Sequence, residues 1–292
     1  MPKDPLDLTA SFHRCWDTVH PALPEKAVQA LKKHKIILVP GFMSRIYTEP
    51  VTIMGVELRL GNYFDEQMHW LNGLGVSHTR LKLIAGGFFE KNAEHLVELI
   101  RDSEYPVIAL AHSRGGLDTL EALRKMPPLA DKVAGVITIQ SPFHGTPVAD
   151  YVHERDIIKK ISRPLLTQAG ETATSIYWLT TDFRKGYLAR NKAVIAEIVK
   201  KVPFICAGSH CTEDELRQDS TLKLSAAILR AVGILEHDGL VNLQSTRLPG
   251  AQFVALEKTN HRMPVTNTGD SFDRVRFTRA LLFLLLETLK AV

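Results

Sequence analysis

The stretch VIALAHSRGGLDTLEAL, residues 107–123, decides the fold class of this chain. Its first four residues are apolar and predict a buried strand, while LDTLEAL predicts a helix. Between them lies the turn Ala-His-Ser-Arg-Gly at residues 111–115. In a strand, sharp turn and helix of this kind, a serine with small residues two positions before it and two positions after it stands exposed above a parallel sheet. We therefore predict that Ser113 is a nucleophile. The simpler interpretation is a helix N-cap, which does not require small residues on both sides.

Further apolar runs rich in β-branched residues predict the rest of a sheet. They occupy residues 35–42, 79–84, 133–142, 202–210 and 251–258. Most of them do not alternate with polar residues, which indicates strands that are covered on both faces. Helical patterns at residues 90–103 and 115–126 predict βαβ crossovers. The expected fold is therefore α/β, with a mostly parallel central sheet, helices on both faces and a terminal helix near residues 280–289.

Composition favours a globular protein that binds neither nucleic acid nor a cofactor. The chain has 292 residues, of which 45% are hydrophobic, and a net charge of only +4. The one dense basic cluster, at residues 32–35, lacks interleaved aromatic residues, so no nucleic-acid partner is expected. The odd count of three cysteines suits reduced thiols. We see no signal peptide in residues 1–24 and no apolar stretch of about 20 residues that would span a membrane, so we expect a cytoplasmic protein.

We expect one domain over residues 1–292, with residues 143–195 as a helical cap inserted over the active site. One helical face would carry apolar side chains, namely Ile157, Ile158, Ile161 and Leu165. The opposite face carries Arg155, Lys159 and Arg163. Tyr177, Trp178 and Leu179 then line an acyl groove, or alternatively pack the cap onto the body. The long segment at residues 43–77 is the second candidate for covering the site.

A serine nucleophile needs a histidine base and an acid, which follow it in the order Ser, Asp or Glu, His in this setting. His261 follows the last predicted strand, where this order places the base, whereas His210 and His237 suit polar loops. Asp238 lies before Gly239 in a polar turn and is the predicted acid. Its rivals are Glu236 and Asp219, and Asp-Gly alone indicates only a turn.

Two backbone N–H groups are expected to bind the oxyanion of the tetrahedral intermediate. The first belongs to Arg114, which directly follows the nucleophile. The second belongs to Phe42, in the segment VPGFMS after the first strand. Gly41 lets the chain turn close to the substrate, although Pro-Gly-Phe is also compatible with a plain turn.

The chain resembles the bacterial triacylglycerol lipases and related esterases of the α/β-hydrolase superfamily. Four blocks carry the resemblance: ILVPGF at 37–42, ALAHSRGG at 109–116, ITIQSPFHGTPVADY at 137–151, and HDGLVNLQSTRL at 237–248 followed by TNHRMP at 259–264. The resemblance implies Ser113, Asp238 and His261 as a catalytic triad, and ester hydrolysis through an acyl-enzyme.

The chain departs from this family at three places. Ala111 replaces the usual first glycine of the elbow, and Pro40 stands where many of these lipases carry a histidine. Many of the resembled lipases bind calcium through a carboxylate shortly after the catalytic histidine, but here Arg262 and Met263 follow it. We therefore expect no calcium at that place, and no metal or cofactor elsewhere.

These observations predict a serine carboxylic-ester hydrolase, an esterase or a lipase, whose partner is a small-molecule or lipid acyl ester. The alternatives are another acyl-transfer reaction on the same residues, as in an acyltransferase, a thioesterase or an intracellular polyester depolymerase. A catalytically silent α/β-hydrolase fold that binds a ligand is the alternative from another class.

Overall fold

The computed structural model describes residues 6–42, 44, 51–53, 56–58, 62–84, 89–155, 172–217, 219–267 and 269–292. The predicted apolar face of the cap falls within residues 156–171 and lies outside the described residues. The described strands are β1 (Lys35–Val39), β2 (Val51–Ile53), β3 (Val56–Leu58), β4 (His78–Arg80), β5 (Val107–His112), β6 (Val133–Ile139), β7 (Phe204–Ser209) and β8 (Gln252–Leu256). The described α-helices are α1 (Thr9–Thr18), α2 (Glu25–Leu31), α3 (Asp65–Gly73), α4 (Phe89–Arg101), α5 (Arg114–Lys125), α6 (Pro147–Glu154), α7 (Ala173–Tyr177), α8 (Thr181–Arg190), α9 (Lys192–Lys201), α10 (Glu213–Arg217), α11 (Lys223–Ala231) and α12 (Arg274–Thr288).

The central sheet has six parallel strands in the order β4-β1-β5-β6-β7-β8. The chain places β4 on one side of β1 and then places β5 on the other side, so the strand order reverses between β1 and β5. Open α/β sheets bind ligands outside the carboxyl ends of their strands at such a reversal. Ser113 follows β5 directly, and Phe42 lies just beyond β1. The topology thus brings both predicted residues to the same end of the sheet.

Successive side chains of each central strand enter two different hydrophobic clusters, one on each face of the sheet. In β1, Ile36 and Leu38 belong to the first cluster, and Ile37 and Val39 belong to the second. The first cluster also contains side chains of α1, α2, α3 and α12, whereas the second contains side chains of α4, α5 and α9. Because helices cover both faces, the strands are apolar along their whole length rather than in alternation.

The predicted α/β class and the six predicted sheet strands are confirmed, but the prediction extends most strands too far at their carboxyl ends. The run at residues 79–84 illustrates the reason, since β4 ends at Arg80. The backbone N–H of Ile84 instead donates to the side-chain Oδ1 of Asn92 at 3.0 Å. An apolar run continues beyond the point where the backbone still has a partner strand.

The long segment at residues 43–77 contains elements that the sequence did not predict. They are the antiparallel hairpin β2-β3 and the helix α3. The terminal helix α12 starts earlier than predicted, because the Asp273 side chain accepts a hydrogen bond from the Arg276 backbone N–H at 2.8 Å and caps it. Among the described residues, no helix has both the length and the hydrophobicity needed to cross a membrane.

Candidate active site

Ser113 stands at a strained turn between β5 and α5. Its φ of 54° and ψ of −127° lie in a region that residues with a side chain seldom adopt. Two features of the structure make this turn possible, a backbone hydrogen bond and a glycine. The backbone N–H of Ser113 donates to the carbonyl of Ile139 at 2.8 Å, which extends the pairing of β5 with β6. A Cβ added at Gly115 would lie 2.3 Å from the carbonyl oxygen of Val39, so only glycine lets α5 start this close to β1.

The structure brings together the three residues predicted as nucleophile, base and acid. The Nε2 of His261 lies 3.0 Å from the Oγ of Ser113, and its Nδ1 lies 2.7 Å from the Oδ2 of Asp238. All three side chains are buried. Asp238 lies 125 positions after Ser113 in the sequence. These groups therefore come into hydrogen-bond contact only because the sheet folds.

The turn after Asp238 holds its carboxylate in place. Its Oδ1 accepts hydrogen bonds from the backbone N–H groups of Leu240 at 2.9 Å and Val241 at 2.7 Å. Gly239 has a φ of 100°, which favours glycine. The backbone carbonyl of Asp238 also accepts from the N–H of His261 at 2.9 Å. The Asp-Gly pair is therefore a turn, and that turn orients the carboxylate toward the histidine.

The rival acids lie elsewhere. Asp219 accepts from Thr221 and from the guanidinium of Arg262, whose Nη1 lies 3.1 Å from its Oδ2. Glu236 is exposed. Of the rival histidines, His237 accepts the Gly239 N–H through its Nδ1 at 3.1 Å. In the described structure, Asp238 is thus the carboxylate that meets His261.

The loop after β1 passes directly over the nucleophile. A Cβ added at Gly41 would lie 2.7 Å from the Cβ of Ser113. The carbonyl of Gly41 accepts from the N–H of Ser44 at 3.3 Å, so the N–H of Phe42, in the same trans peptide group, points the opposite way. Within the described part of the chain, this N–H donates to no other group. Arg114, the other predicted donor, is the first residue of α5, where the N–H groups of a helix have no partner within the helix.

The side chains predicted to bind substrate fall into different environments. Tyr177 is exposed and lies near the rings of His153 and Phe183, with centroids 5.1 Å away in each case. Trp178 is partly buried and packs against the second hydrophobic cluster. Leu179 also packs against the second cluster, and in addition packs, as Phe42 does, on a small cluster of Ala149 and Ile176. This small cluster links Leu179 to the loop over Ser113. That cluster is joined to the body by the hydroxyl of Thr146, which donates to the carbonyl of Leu240 at 2.6 Å.

Sequence reasoning missed a buried polar group of residues behind the nucleophile. The Nδ1 of His112 lies 2.5 Å from the hydroxyl oxygen of Tyr63, and its Nε2 lies 2.9 Å from the carbonyl of His261. Gln140 contacts the same Nε2 through its Oε1 at 3.1 Å. Burial, and after it the electrostatic effect of the neighbouring His261, lowers the pKa of His112 well below its ordinary value. The position of His112 next to Ser113 is a signal that sequence could have used, but nothing in the sequence marks Tyr63.

The described residues give no sign of a metal centre, either around His112 or elsewhere. Within the described residues, no three His, Cys, Asp or Glu side chains are grouped so that they could hold a metal ion. At the position where a carboxylate would follow the histidine, the Arg262 guanidinium pairs with Asp219.

A parallel sheet with helices on both faces, a serine at a tight turn after its central strand β5, and a histidine after the last strand define the α/β-hydrolase fold. Solved structures share it. A metagenomic carboxyl esterase is 18% identical, with a TM-score of 0.73 over 88% of this chain and 76% of that one. A Bacillus licheniformis lipase in its mature form is 21% identical, with a TM-score of 0.61 over 87% and 91% of the two chains.

Lipase 1 from Pelosinus fermentans is 14% identical and has a TM-score of 0.57 over 87% of this chain and 98% of that one. At identities this low, the likeness defines the shared fold. The sequence itself matches no protein-family model and no curated protein.

Proposed function

We propose that this protein is a serine carboxylic-ester hydrolase that works through an acyl-enzyme. One observation carries the proposal. Asp238, His261 and Ser113 are linked by contacts of 2.7 Å and 3.0 Å in the order acid, base and nucleophile. The fold shared with carboxylesterases and lipases supports the same reaction class.

In the acylation step, the Oγ of Ser113 attacks the ester carbonyl carbon while the Nε2 of His261 takes the hydroxyl proton. Asp238 accepts from the Nδ1 of His261, so the imidazole presents its unprotonated Nε2 to the serine. The negative charge of Asp238 then stabilises the imidazolium that forms. Two backbone N–H groups also donate to this carboxylate and hold it in place.

The tetrahedral intermediate carries its negative charge on the former carbonyl oxygen. We assign the backbone N–H groups of Phe42 and Arg114 to this oxyanion, because both residues adjoin Ser113. Collapse of the intermediate breaks the bond to the alcohol, and the Nε2 of His261 returns its proton to the leaving oxygen. A water molecule then attacks the acyl-enzyme with the same base, which releases the acid and restores the serine.

Residues 143–195 are proposed as the cap that sets acyl preference, with Tyr177, Trp178 and Leu179 as the substrate-binding side chains. Leu179 carries most of this assignment, because it packs in one cluster with Phe42. The partly buried Trp178 also packs the cap segment onto the body. Cytoplasmic action is part of the proposal and is supported by three buried cysteines without disulfide partners, Cys15, Cys206 and Cys211.

The proposal is tested by hydrolysis of p-nitrophenyl esters of increasing acyl length, together with labelling by a fluorophosphonate probe. We expect wild-type protein to hydrolyse esters and to be labelled at Ser113. Ser113→Ala should lose labelling and roughly 10⁴-fold or more of the activity, because triad residues act as a unit. A matched control is Ser103→Ala, since Ser103 lies before the amino end of β5 and its hydroxyl bonds to the local backbone of Tyr105.

Each alternative gives a different result. Labelled but non-hydrolysing protein that passes its acyl group to an added alcohol or thiol would identify an acyltransferase. Protein that neither hydrolyses esters nor reacts with the probe would overturn the enzyme assignment and favour a binding protein. An acyl-length profile that stays unchanged in Leu179→Ala would remove that residue from the substrate groove.

A further inference from the structure

A buried chain of hydrogen bonds joins the two loops that flank Ser113. The backbone N–H of Gly41 donates to the hydroxyl oxygen of Tyr63 at 3.0 Å. That hydroxyl lies 2.5 Å from the Nδ1 of His112, whose Nε2 lies 2.9 Å from the carbonyl oxygen of His261. Tyr63, His112 and His261 are all buried. One end of the chain is therefore the loop that holds Phe42, and the other end is the backbone of the proposed base.

The donor and the acceptor of each hydrogen bond in this series can be assigned. A backbone N–H can only donate, so the Tyr63 oxygen accepts from Gly41. A carbonyl can only accept, so the Nε2 of His112 carries a proton that it donates to His261. Burial keeps the His112 ring neutral, since it lowers the pKa of this histidine well below its ordinary value. A neutral imidazole has one N–H, so its Nδ1 accepts the hydroxyl proton of Tyr63.

Gln140, the residue directly after β6, supports this arrangement. Its side-chain nitrogen donates to the carbonyl of Asn260 at 2.9 Å and to the Oγ of Ser209. These two contacts turn its Oε1 toward the Nε2 of His112 at 3.1 Å, where it accepts. The protonated nitrogen of His112 therefore faces two acceptors, and the residue before His261 is anchored to the same network.

The position of Gly41 decides where the Phe42 N–H points. Gly41 lies against the Cβ of Ser113, and its carbonyl accepts from Ser44, which directs the next N–H to the other side. Its own N–H is held by the Tyr63 hydroxyl. Without that hydroxyl, a buried N–H would lose its partner and the loop would lose a contact that keeps it at this distance from Ser113.

We propose that Tyr63 and His112 are positioning residues that fix the Phe42 donor relative to His261 and Ser113. This inference rests on the proposed ester hydrolysis. Neither residue forms a hydrogen bond to the reacting atoms. Both act through the backbone of the oxyanion loop and through the carbonyl of His261, and the His112 ring also packs against the His261 ring, with centroids 4.8 Å apart. The role explains how the loop is supported although Pro40, and not a histidine, precedes Gly41.

The principal test is Tyr63→Phe, which removes the hydroxyl and keeps the ring. We expect kcat to fall by about 10- to 100-fold, less than the ~10²–10³-fold loss that follows removal of an oxyanion donor itself. KM should change by no more than about threefold, because the loop contributes mainly to binding of the transition state.

A second readout separates oxyanion binding from general damage. Each variant is compared on an ester and on the matching thionoester, in which sulfur replaces the carbonyl oxygen. Backbone N–H donors placed for a small, strongly accepting oxyanion stabilise the larger sulfur anion poorly. Tyr63→Phe should therefore lose more activity on the ester than on the thionoester.

Ser103→Ala is the control. Ser103 is also buried, and its hydroxyl donates to the backbone carbonyl of Tyr105 at 2.7 Å, before the amino end of β5 and away from the loops around Ser113. It should lose thermal stability to a similar extent as Tyr63→Phe, but keep kcat and the preference for the ester. An equal loss of kcat and of preference in both variants would overturn the positioning role.

His112→Gln provides an independent variant should Tyr63→Phe fold poorly. A glutamine amide can still donate toward the His261 carbonyl, but it offers no acceptor at the place of Nδ1. It should reproduce the kinetic defect. Combining it with Tyr63→Phe should add little, since both substitutions remove the same hydrogen bond between Tyr63 and His112. Unchanged kcat and ester preference in a folded Tyr63→Phe or His112→Gln variant would overturn the inference. Failure of wild-type protein to hydrolyse any ester would instead overturn the proposed function.

Discussion

At the scale of single residues, the backbone at Ser113 is the main observation. A φ of 54° with a ψ of −127° is close to a conformation that only glycine adopts at low cost. A serine stands there with its hydroxyl 3.0 Å from the Nε2 of His261, which is where the proposed reaction needs it. Stability and function are therefore in conflict at this position.

Replacing Ser113 by glycine should separate the effect on stability from the effect on activity. Ser113→Gly and Ser113→Ala should both be inactive, because neither has a nucleophile. The free energy of unfolding of Ser113→Gly should, however, be about 1 kcal/mol higher than that of Ser113→Ala, since glycine relieves the backbone strain that alanine retains. Urea unfolding of the two variants measures the difference. Equal stability, or a more stable alanine variant, would show that the turn is not strained.

At the scale of elements, the elbow depends on how closely α5 approaches the sheet. A Cβ at Gly115 would overlap the backbone of Val39 and Pro40 at the end of β1, and a Cβ at Gly116 would lie 2.2 Å from the Oγ of Ser141 after β6. Both glycines thus set the distance between the start of α5 and the two strands that flank β5. This distance also decides where Arg114 presents its N–H.

Gly115→Ala should therefore destabilise the fold and reduce activity together. We expect a loss of about 1–3 kcal/mol in the free energy of unfolding, the usual range for overpacking a closed site. Ester hydrolysis should fall as well, because α5 must move away from the oxyanion loop. Gly73→Ala in α3 is the control, since an added Cβ there meets nothing within 4 Å and alanine favours helix. A Gly115→Ala variant as stable and active as Gly73→Ala would contradict this account.

At the scale of the whole molecule, buried histidines link stability to pH. Burial lowers the pKa values of His112, His144 and His237 relative to their ordinary values. In the unfolded chain these groups take up protons as the pH falls through about 6.5, while in the folded chain they stay neutral to lower pH. The unfolded state then binds more protons, so acid favours unfolding.

The free energy of unfolding should be highest above about pH 6.5 and should fall between pH 6.5 and pH 5. Each histidine that is protonated in the unfolded state but neutral in the folded state changes the free energy of unfolding by up to about 1.4 kcal/mol per pH unit. His112→Gln removes one titrating group and should show a shallower slope than wild type over this range. Chemical unfolding at pH 7, 6 and 5 measures both. Stability that does not change with pH, or the same slope in the variant, would exclude His112 as a source of acid sensitivity.

Much of the architecture could be predicted because its signals are local. The strand before Ser113, the turn of small residues and the helix after it lie within one short stretch, where hydrophobic pattern and backbone preference suffice. Asp238 could be predicted from its turn and its place in the chain order, and His261 from its place after the last strand. In each case neighbouring residues and chain order carry the information.

The tertiary structure alone decided which side chains meet. Tyr63 and His112 are 49 positions apart, and Arg262 is 43 positions from Asp219. No pattern around any of these four residues indicates its partner. The hairpin β2-β3 and the helix α3 were missed for a related reason, since short elements carry weak periodic signals. Backbone preferences act over a few residues, whereas contacts between distant residues depend on how the strands and helices pack. The residues of the proposed catalytic site could therefore be predicted from the sequence, but the contacts that hold them in place could not.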